Sequence, residues 1–298
     1  MGEMRLTVRR ISRHPGGDYL SDNWIVSNLE SALSDWNEKL AEIWSLLTQS
    51  PETFKGGTVW GMILSINDAL VGIGYGLLVL FFAMGIAQSA AGFRDLQRPE
   101  FVLRHLVRFI FAKTAVGRCM ELMLAIFNIC GGIVQTAMSG LGGSISTAAT
   151  LPGEIVTAIE SAGLLESIPL WLVSLLGTLF ITVMSFILLL TVYGRFFRLY
   201  MYTALAPLPL SAFAGEGTSA SGKAFLKSYI GVCMEGAVIV IACMIYSAFL
   251  SSSTPAVASG APAVTMAWRY IGQLIFNMLI LTGLVRGASR IVKEMLGL

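Results

Sequence analysis

Between Leu29 and Leu47 the apolar positions recur at intervals of 4, 3, 4, 3 and 4: Leu29, Leu33, Trp36, Leu40, Ile43 and Leu47. Intervals alternating between three and four residues place all of them on one stripe of an α-helix. The spacing predicts an amphipathic helix over 22–50, capped by Asp22 or Ser21 and stopped by Pro51, whose ring cannot continue a helix. Asp35, Glu38, Lys39 and Glu42 take the opposite face. Such a helix lies on a membrane or packs on a partner helix, and its mainly acidic polar face argues against binding to anionic lipid.

Beyond Pro51 the stripe gives way to long apolar runs. The first span is predicted over about 59–93, and its stretch from Ala69 to Phe93 carries no charge. That stretch is long enough to cross about 30 Å of hydrocarbon. Asn67 and Asp68 fall near one interface, and Gly72 with Gly76 offers a small face for close helix contact. The second span is predicted over 101–138. It opens as an interfacial helix with Arg104, His105 and Arg108 on one face and becomes a true span from about Cys119. Glu121 comes three residues after Arg118, close enough to pair with it. The third span, 169–197, is the strongest, because no charge occurs between Glu166 and Arg195. The fourth, 228–250, is interrupted by Glu235, and the fifth covers 266–285. Residues 139–168 and 251–263 read as loops.

Composition agrees with this pattern. The chain has 298 residues, 55% hydrophobic and only 13% charged, with a mean hydropathy of +0.73. A soluble domain carries about 25% charged residues, so this chain cannot cover a surface facing water alone. The fold class is an all-α integral membrane protein. Its expected parts are a basic extension at 1–21, an amphipathic helix at 22–50, and a polytopic membrane domain at 59–298 with about five transmembrane helices.

The distribution of charge orients it. The 94–118 connection holds Arg94, Arg98, Arg104, Arg108, Lys113 and Arg118. The 195–227 connection holds Arg195, Arg198, Lys223 and Lys227, and the tail holds Arg286, Arg290 and Lys293. The connections at 139–168 and 251–265 hold no Lys or Arg. By the positive-inside rule the C-terminus is cytoplasmic and the N-terminal helix extracytoplasmic, although Arg5, Arg9, Arg10 and Arg13 run against that placement. Arg94, Arg98, Arg104, Arg108, Lys113, Arg118, Arg195 and Arg198 are candidates for a basic cytoplasmic mouth. They would contact lipid headgroups, or a nucleic acid or protein partner.

Chemistry is sparse. "GTSASGKA", Gly217 to Ala224, approaches a phosphate loop, but Ala224 stands where Ser or Thr must hold Mg²⁺, and Pro207 and Pro209 do not suit a preceding buried strand. It reads as a flexible turn. Glu121, Asn128, Glu235, Gln273 and Asn277 are polar groups in or beside apolar runs, either interhelical contacts or the lining of a conduit. The four cysteines lack any paired spacing and read as packing residues, and His14 and His105 lie too far apart to suggest a metal site. No catalytic constellation emerges, so neither an enzyme nor a cofactor is expected. In "YGRFFRLYMYTALAPLPLSAFAGEG", Arg195 and Arg198 end the third span. The remainder of that stretch, with Pro207 and Pro209, is too short and broken to cross again, so it is expected to form a protein-buried, re-entrant or interfacial elbow on the cytoplasmic side.

That segment, with "INDALVGIGYGLLVLFFAMGIAQ", "RPEFVLRHLVRFIFAKTAV" and "KSYIGVCMEGAVIVIAC", resembles the TrbL-type conjugal transfer proteins. The similarity is greatest to the versions carried by integrative conjugative elements of Gram-positive bacteria, and it runs over about residues 24–298. The resemblance implies a polytopic channel subunit of a type IV secretion system in the bacterial cytoplasmic membrane. Such subunits form a ring of copies and contribute to the path of DNA, relaxase-linked DNA or protein. They work with an assembly ATPase, a coupling ATPase and small membrane subunits, and perform no catalysis. The residues alone leave open a stand-alone solute transporter or ion channel. Transporters commonly carry paired repeats with broken helices, and here one proline-rich break has no mirror in a second half.

Overall fold

The structure, a computed structural model, describes residues 23–90, 99–140, 149–162, 164–252 and 262–298. Among these residues every regular element is helical. The helices are α1 (Trp24–Thr48), α2 (Thr58–Ala90), α3 (Pro99–Gly117), α4 (Cys119–Gly140), α5 (Gly153–Glu160), α6 (Leu164–Leu205), α7 (Pro207–Ser211), α8 (Ser219–Ser252) and α9 (Ala263–Leu296). Five segments are long and apolar enough to cross a membrane: Thr58–Gln88, Cys119–Ser139, Ser167–Leu205, Ser219–Phe249 and Ala263–Leu296. The protein is an all-α polytopic membrane protein.

The amphipathic helix forms where its stripe places it, but its cap is Asn23. The Asn23 side chain accepts a hydrogen bond from the Ile25 amide at 3.1 Å; Asp22 and Ser21 lie outside the described residues. Leu29, Leu33, Trp36, Ile43 and Leu47 are buried. They pack on α6 of the same chain, which is the partner helix of this stripe. Trp24 stacks on Trp171 with ring centroids 6.2 Å apart. Leu29 lies against Gly177, and the Tyr193 hydroxyl donates to Glu42 Oε1 at 3.0 Å. Sequence number rises together in both helices, so α1 runs parallel to α6. Polar ties add to this packing. Asn37 exchanges two hydrogen bonds with the backbone of Ala149, at 3.0 and 2.9 Å. Lys39 Nζ donates to Glu42 Oε2 at 3.1 Å, a bond that raises the lysine's pKa above its ordinary value. Past Thr48, Gly56 and Gly57 adopt φ of 74° and 78°. This left-handed backbone favours glycine, and it turns the chain sharply into α2.

α6 is one continuous helix, about 63 Å long at 1.5 Å per residue. The charge pattern predicts that this span ends near 197. The helix instead runs through both arginines to Leu205, because nothing in 199–205 opposes helix and the first breaker is Pro207. α8 starts earlier than expected, at Ser219, so most of "GTSASGKA" forms its first turns rather than a flexible turn. Within the predicted 139–168 loop, α5 forms because Ile155 and Ile159, one turn apart, are both buried against Ile25, Val26, Leu29 and Leu170. α9 continues past Arg286, Arg290 and Lys293. It ends at Gly297, φ 64°, where Leu298 N–H bonds back to the Lys293 carbonyl at 2.9 Å, a left-handed glycine cap.

α8 is the central helix, with 56% of its apolar window buried, whereas only 17% is buried in α2. α9, α4 and α6 surround α8, and α2 packs on the end of α6 and on α7. α2 is inserted by a narrow seam of Trp60, Ile63, Asn67, Gly74, Leu78 and Gly85, buried at helical spacing. Gly72 and Gly76 fall outside that seam and face open space. The close-contact glycine is Gly74, two residues on from Gly72.

Candidate functional site

The polar groups of the interior collect where α6 meets α4, α8 and the elbow. Arg195 is 3% exposed. Its Nε donates to the Val232 carbonyl and its Nη2 to that of Cys233, both at 3.2 Å. Its Nη1 has no hydrogen-bond partner among the described residues. Gly236 makes the room, since a Cβ there would stand 2.6 Å from the guanidinium. One turn on, Arg198 grips Glu235 with two bonds, Nη1 to Oε1 at 2.8 Å and Nη2 to Oε2 at 2.6 Å. The Glu235 side chain is 4% exposed and that of Arg198 37%. A bidentate charge-assisted pair of this kind fixes rotation as well as distance, and here it locks α6 to α8.

The elbow is built between α2, α3 and α8. Pro207 has no amide proton, so the Thr203 carbonyl loses its i+4 donor. Asn67 supplies the replacement: its Nδ2 donates to that carbonyl at 2.8 Å, and its Oδ1 accepts from Cys119 Sγ at 3.1 Å. Three helices meet in one buried amide. Gly74 lets the break sit close, since a Cβ there would lie 3.0 Å from the Pro207 oxygen. A Cβ on Gly215 would lie 2.7 Å from the Phe81 oxygen. At the far end Glu216 faces His105 Nε2 at 4.0 Å and Arg108 Nη1 at 3.8 Å, which ties α3 to the turn before α8. Pro207, Leu210, Ser211, Ala212 and Ala214 are buried and Pro209 is half-buried, so the elbow is covered by protein.

The residues singled out in the sequence scatter over this frame. Arg195, Arg198 and Glu235 come together between α6 and α8, which withdraws Arg195 from an open basic mouth, while the Arg198 side chain stays 37% exposed. The reason is that α6 extends beyond them and turns them toward α8. Arg104, Lys113 and Arg118 are exposed, Arg108 is half-buried, and Arg94 and Arg98 lie outside the described residues. Glu121 is exposed and pairs with Arg118 at 3.8 Å. Asn128 and Gln273 are exposed and Asn277 is buried. Gln273 Nε2 donates to Asn277 Oδ1 at 3.3 Å on the same helix. The four cysteines are buried and free, and among the described residues no cluster fit to hold a metal ion occurs. Sequence alone places Asn67 near an interface and misses its structural role. The signal for that role is Pro207, which removes the i+4 donor of the Thr203 carbonyl and leaves the backbone only the longer 3.4 Å bond from the Ala206 amide, so that a buried side-chain donor is favoured there.

Residues 36–207, from the middle of α1 through α6 to the first residue of the elbow, match the family of TrbL/VirB6 plasmid conjugal transfer like proteins. The chain belongs to the TrbL/VirB6 family. The matched stretch is more than half the chain and contains Asn67, Arg195, Arg198 and Pro207, while α8 and α9 lie beyond it. No curated protein and no solved structure matches the chain. Membership makes this TrbL/VirB6 protein a membrane component of conjugal transfer, related to type IV secretion. The family is one of structural transfer components rather than a known enzyme family.

Proposed function

We propose that the chain is the membrane-channel subunit of a conjugative type IV secretion system. In this reading it forms part of the path of DNA or protein across the bacterial cytoplasmic membrane as a ring of identical copies. The observation that carries the reading is the family match over residues 36–207, on a chain with five membrane-length apolar helices. The basic residues of 94–118 and of the tail favour a cytoplasmic position for those segments, with the N-terminus outside. Arg104, Lys113 and Arg118, exposed on α3 and just before α4, then face lipid headgroups, secretion ATPases, small membrane subunits or passing nucleic acid. Glu121, Asn128 and Gln273 are available to neighbouring copies or to the conduit. The pairing of Arg198 with Glu235 and the elbow at Pro207 and Pro209 hold the cytoplasmic half together.

The test is an in-frame deletion in donor cells, complemented from a plasmid. Transfer of DNA should be lost with growth unchanged and return with the complementing copy. Undiminished transfer would overturn the reading.

A further inference from the structure

α1 and α6 lie side by side over one bilayer thickness, and their outward faces demand different solvents. The contacts at Trp24–Trp171 and Glu42–Tyr193 bracket about 27 Å of α1 and about 33 Å of α6 at 1.5 Å per residue, against a hydrocarbon core of about 30 Å. Over that length α6 exposes Leu172, Leu176, Leu179, Phe180, Val183 and Phe186, within the most apolar of the five spans. At the same levels α1 exposes Glu30, Ser31, Ser34, Asp35, Glu38 and Ser45. Hydrocarbon suits the first set. It cannot surround three carboxylates, which require water or a partner charge.

We propose that the polar face of α1 is the water-facing wall of the translocation path, with the outward face of α6 on the lipid side of the same subunit. The inference rests on the reading of the chain as a channel subunit and assigns the wall within it. The chemistry of the face suits a polyanionic cargo that must slide rather than stick. Apart from Trp24 and Ala41, its exposed side chains are hydroxyls and carboxylates. Lys39 is the only basic residue of α1 and is held by Glu42. Phosphates passing along it would find no free cation to bind. A ring of copies, each presenting this helix inward, would enclose a column of water lined by serines and acids.

The experiment places single cysteines at Ser31, Ser34 and Ser45 on α1 and at Leu176, Phe180 and Phe186 on α6, in the full chain in donor cells. The native cysteines are buried and do not compete. A membrane-impermeant, water-soluble maleimide is applied, and transfer is read in the same cells before and after. The expected result is modification of the α1 set, no modification of the α6 set, and loss of transfer on modification at Ser34→Cys. Equal modification of both sets would put this stretch outside the bilayer and overturn the proposal. An unreactive α1 set would overturn it too, by showing that protein covers the face. Modification without loss of transfer would overturn it by showing that the water is off the path. If the deletion strain itself still transfers DNA, it is the channel-subunit reading that has failed.

Discussion

Asn67 donates a hydrogen bond of 2.8 Å to the carbonyl of Thr203, 136 residues away along the chain. That carbonyl is the one that Pro207 leaves without its helical donor. Where water is scarce a proline break is tolerated only if the freed backbone group finds another partner; here the side-chain amide of α2 supplies the shorter bond, beside one of 3.4 Å from the Ala206 amide. The break that makes the elbow and the residue that makes the break tolerable sit on different helices.

Asn67→Ala removes the shorter of the Thr203 carbonyl's two hydrogen bonds and leaves it only the 3.4 Å bond from the Ala206 amide, so it should destabilise the protein by about 0.5–1.5 kcal/mol, the range for one net hydrogen bond. Thermal unfolding of the purified protein in detergent measures it. In a Pro207→Ala background an amide proton is available to Thr203 again, and the same substitution should cost clearly less. Equal losses in both backgrounds would show that Asn67 does not serve this carbonyl.

Arg198→Ala leaves the Glu235 carboxylate without its bidentate partner, and should cost about 1.5–3 kcal/mol, the range for hydrogen bonds to a charged group, because the arginine side chain is part-exposed. Glu235→Gln, which keeps an acceptor oxygen and removes the buried charge, should cost less. Arg198→Lys should recover only part of the loss, because an ammonium cannot form the two parallel bonds. Denaturation in detergent should rank the variants in that order.

Glycines on α2 and at the elbow should divide by their surroundings. Gly215→Ala would bring a methyl to 2.7 Å from the backbone oxygen of Phe81, and should lower the melting temperature and the yield of folded protein. Gly72→Ala and Gly76→Ala meet nothing within 4 Å. Each should be neutral or stabilise by about 0.5–1 kcal/mol through helix propensity.

Trp36 is 2% exposed in the main core, so Trp36→Ala should cost about 3–5 kcal/mol. Asp35→Ala, on the exposed face of the same helix, should leave the melting temperature close to the parent. A small effect at Trp36 in the isolated protein would mean that α1 is not anchored on its own α6.

Local periodicity is enough to find most of the helices, since a stripe at 3.6-residue spacing or a long uncharged run depends only on neighbours in sequence. It locates α1 to within two residues at each end. It fails where a helix outlasts its apolar stretch, as α6 does beyond Arg195 and α9 beyond Arg286. A charged residue ends hydrophobicity without ending helical backbone. It also passes over α5, which is too short to show a period and exists because Ile155 and Ile159 reach a core built by three other helices.

The amino-acid sequence by itself determined that this protein lives in a bilayer, that it is helical, where proline breaks it, and to which family it belongs. These come from composition, spacing and motif, all readable along one dimension. Only the tertiary structure decided what the polar residues do. Arg195, Arg198 and Glu235 look like mouth or conduit groups in sequence and become a clamp between α6 and α8, with Arg195 and Glu235 buried and Arg198 part-exposed, because burial depends on which helix lies opposite. Asn67 becomes the partner of a carbonyl that proline freed, and the acidic face of α1 comes to lie level with the apolar face of α6. Each of these is a relation between distant segments, fixed by how helices pack rather than by any residue's neighbours.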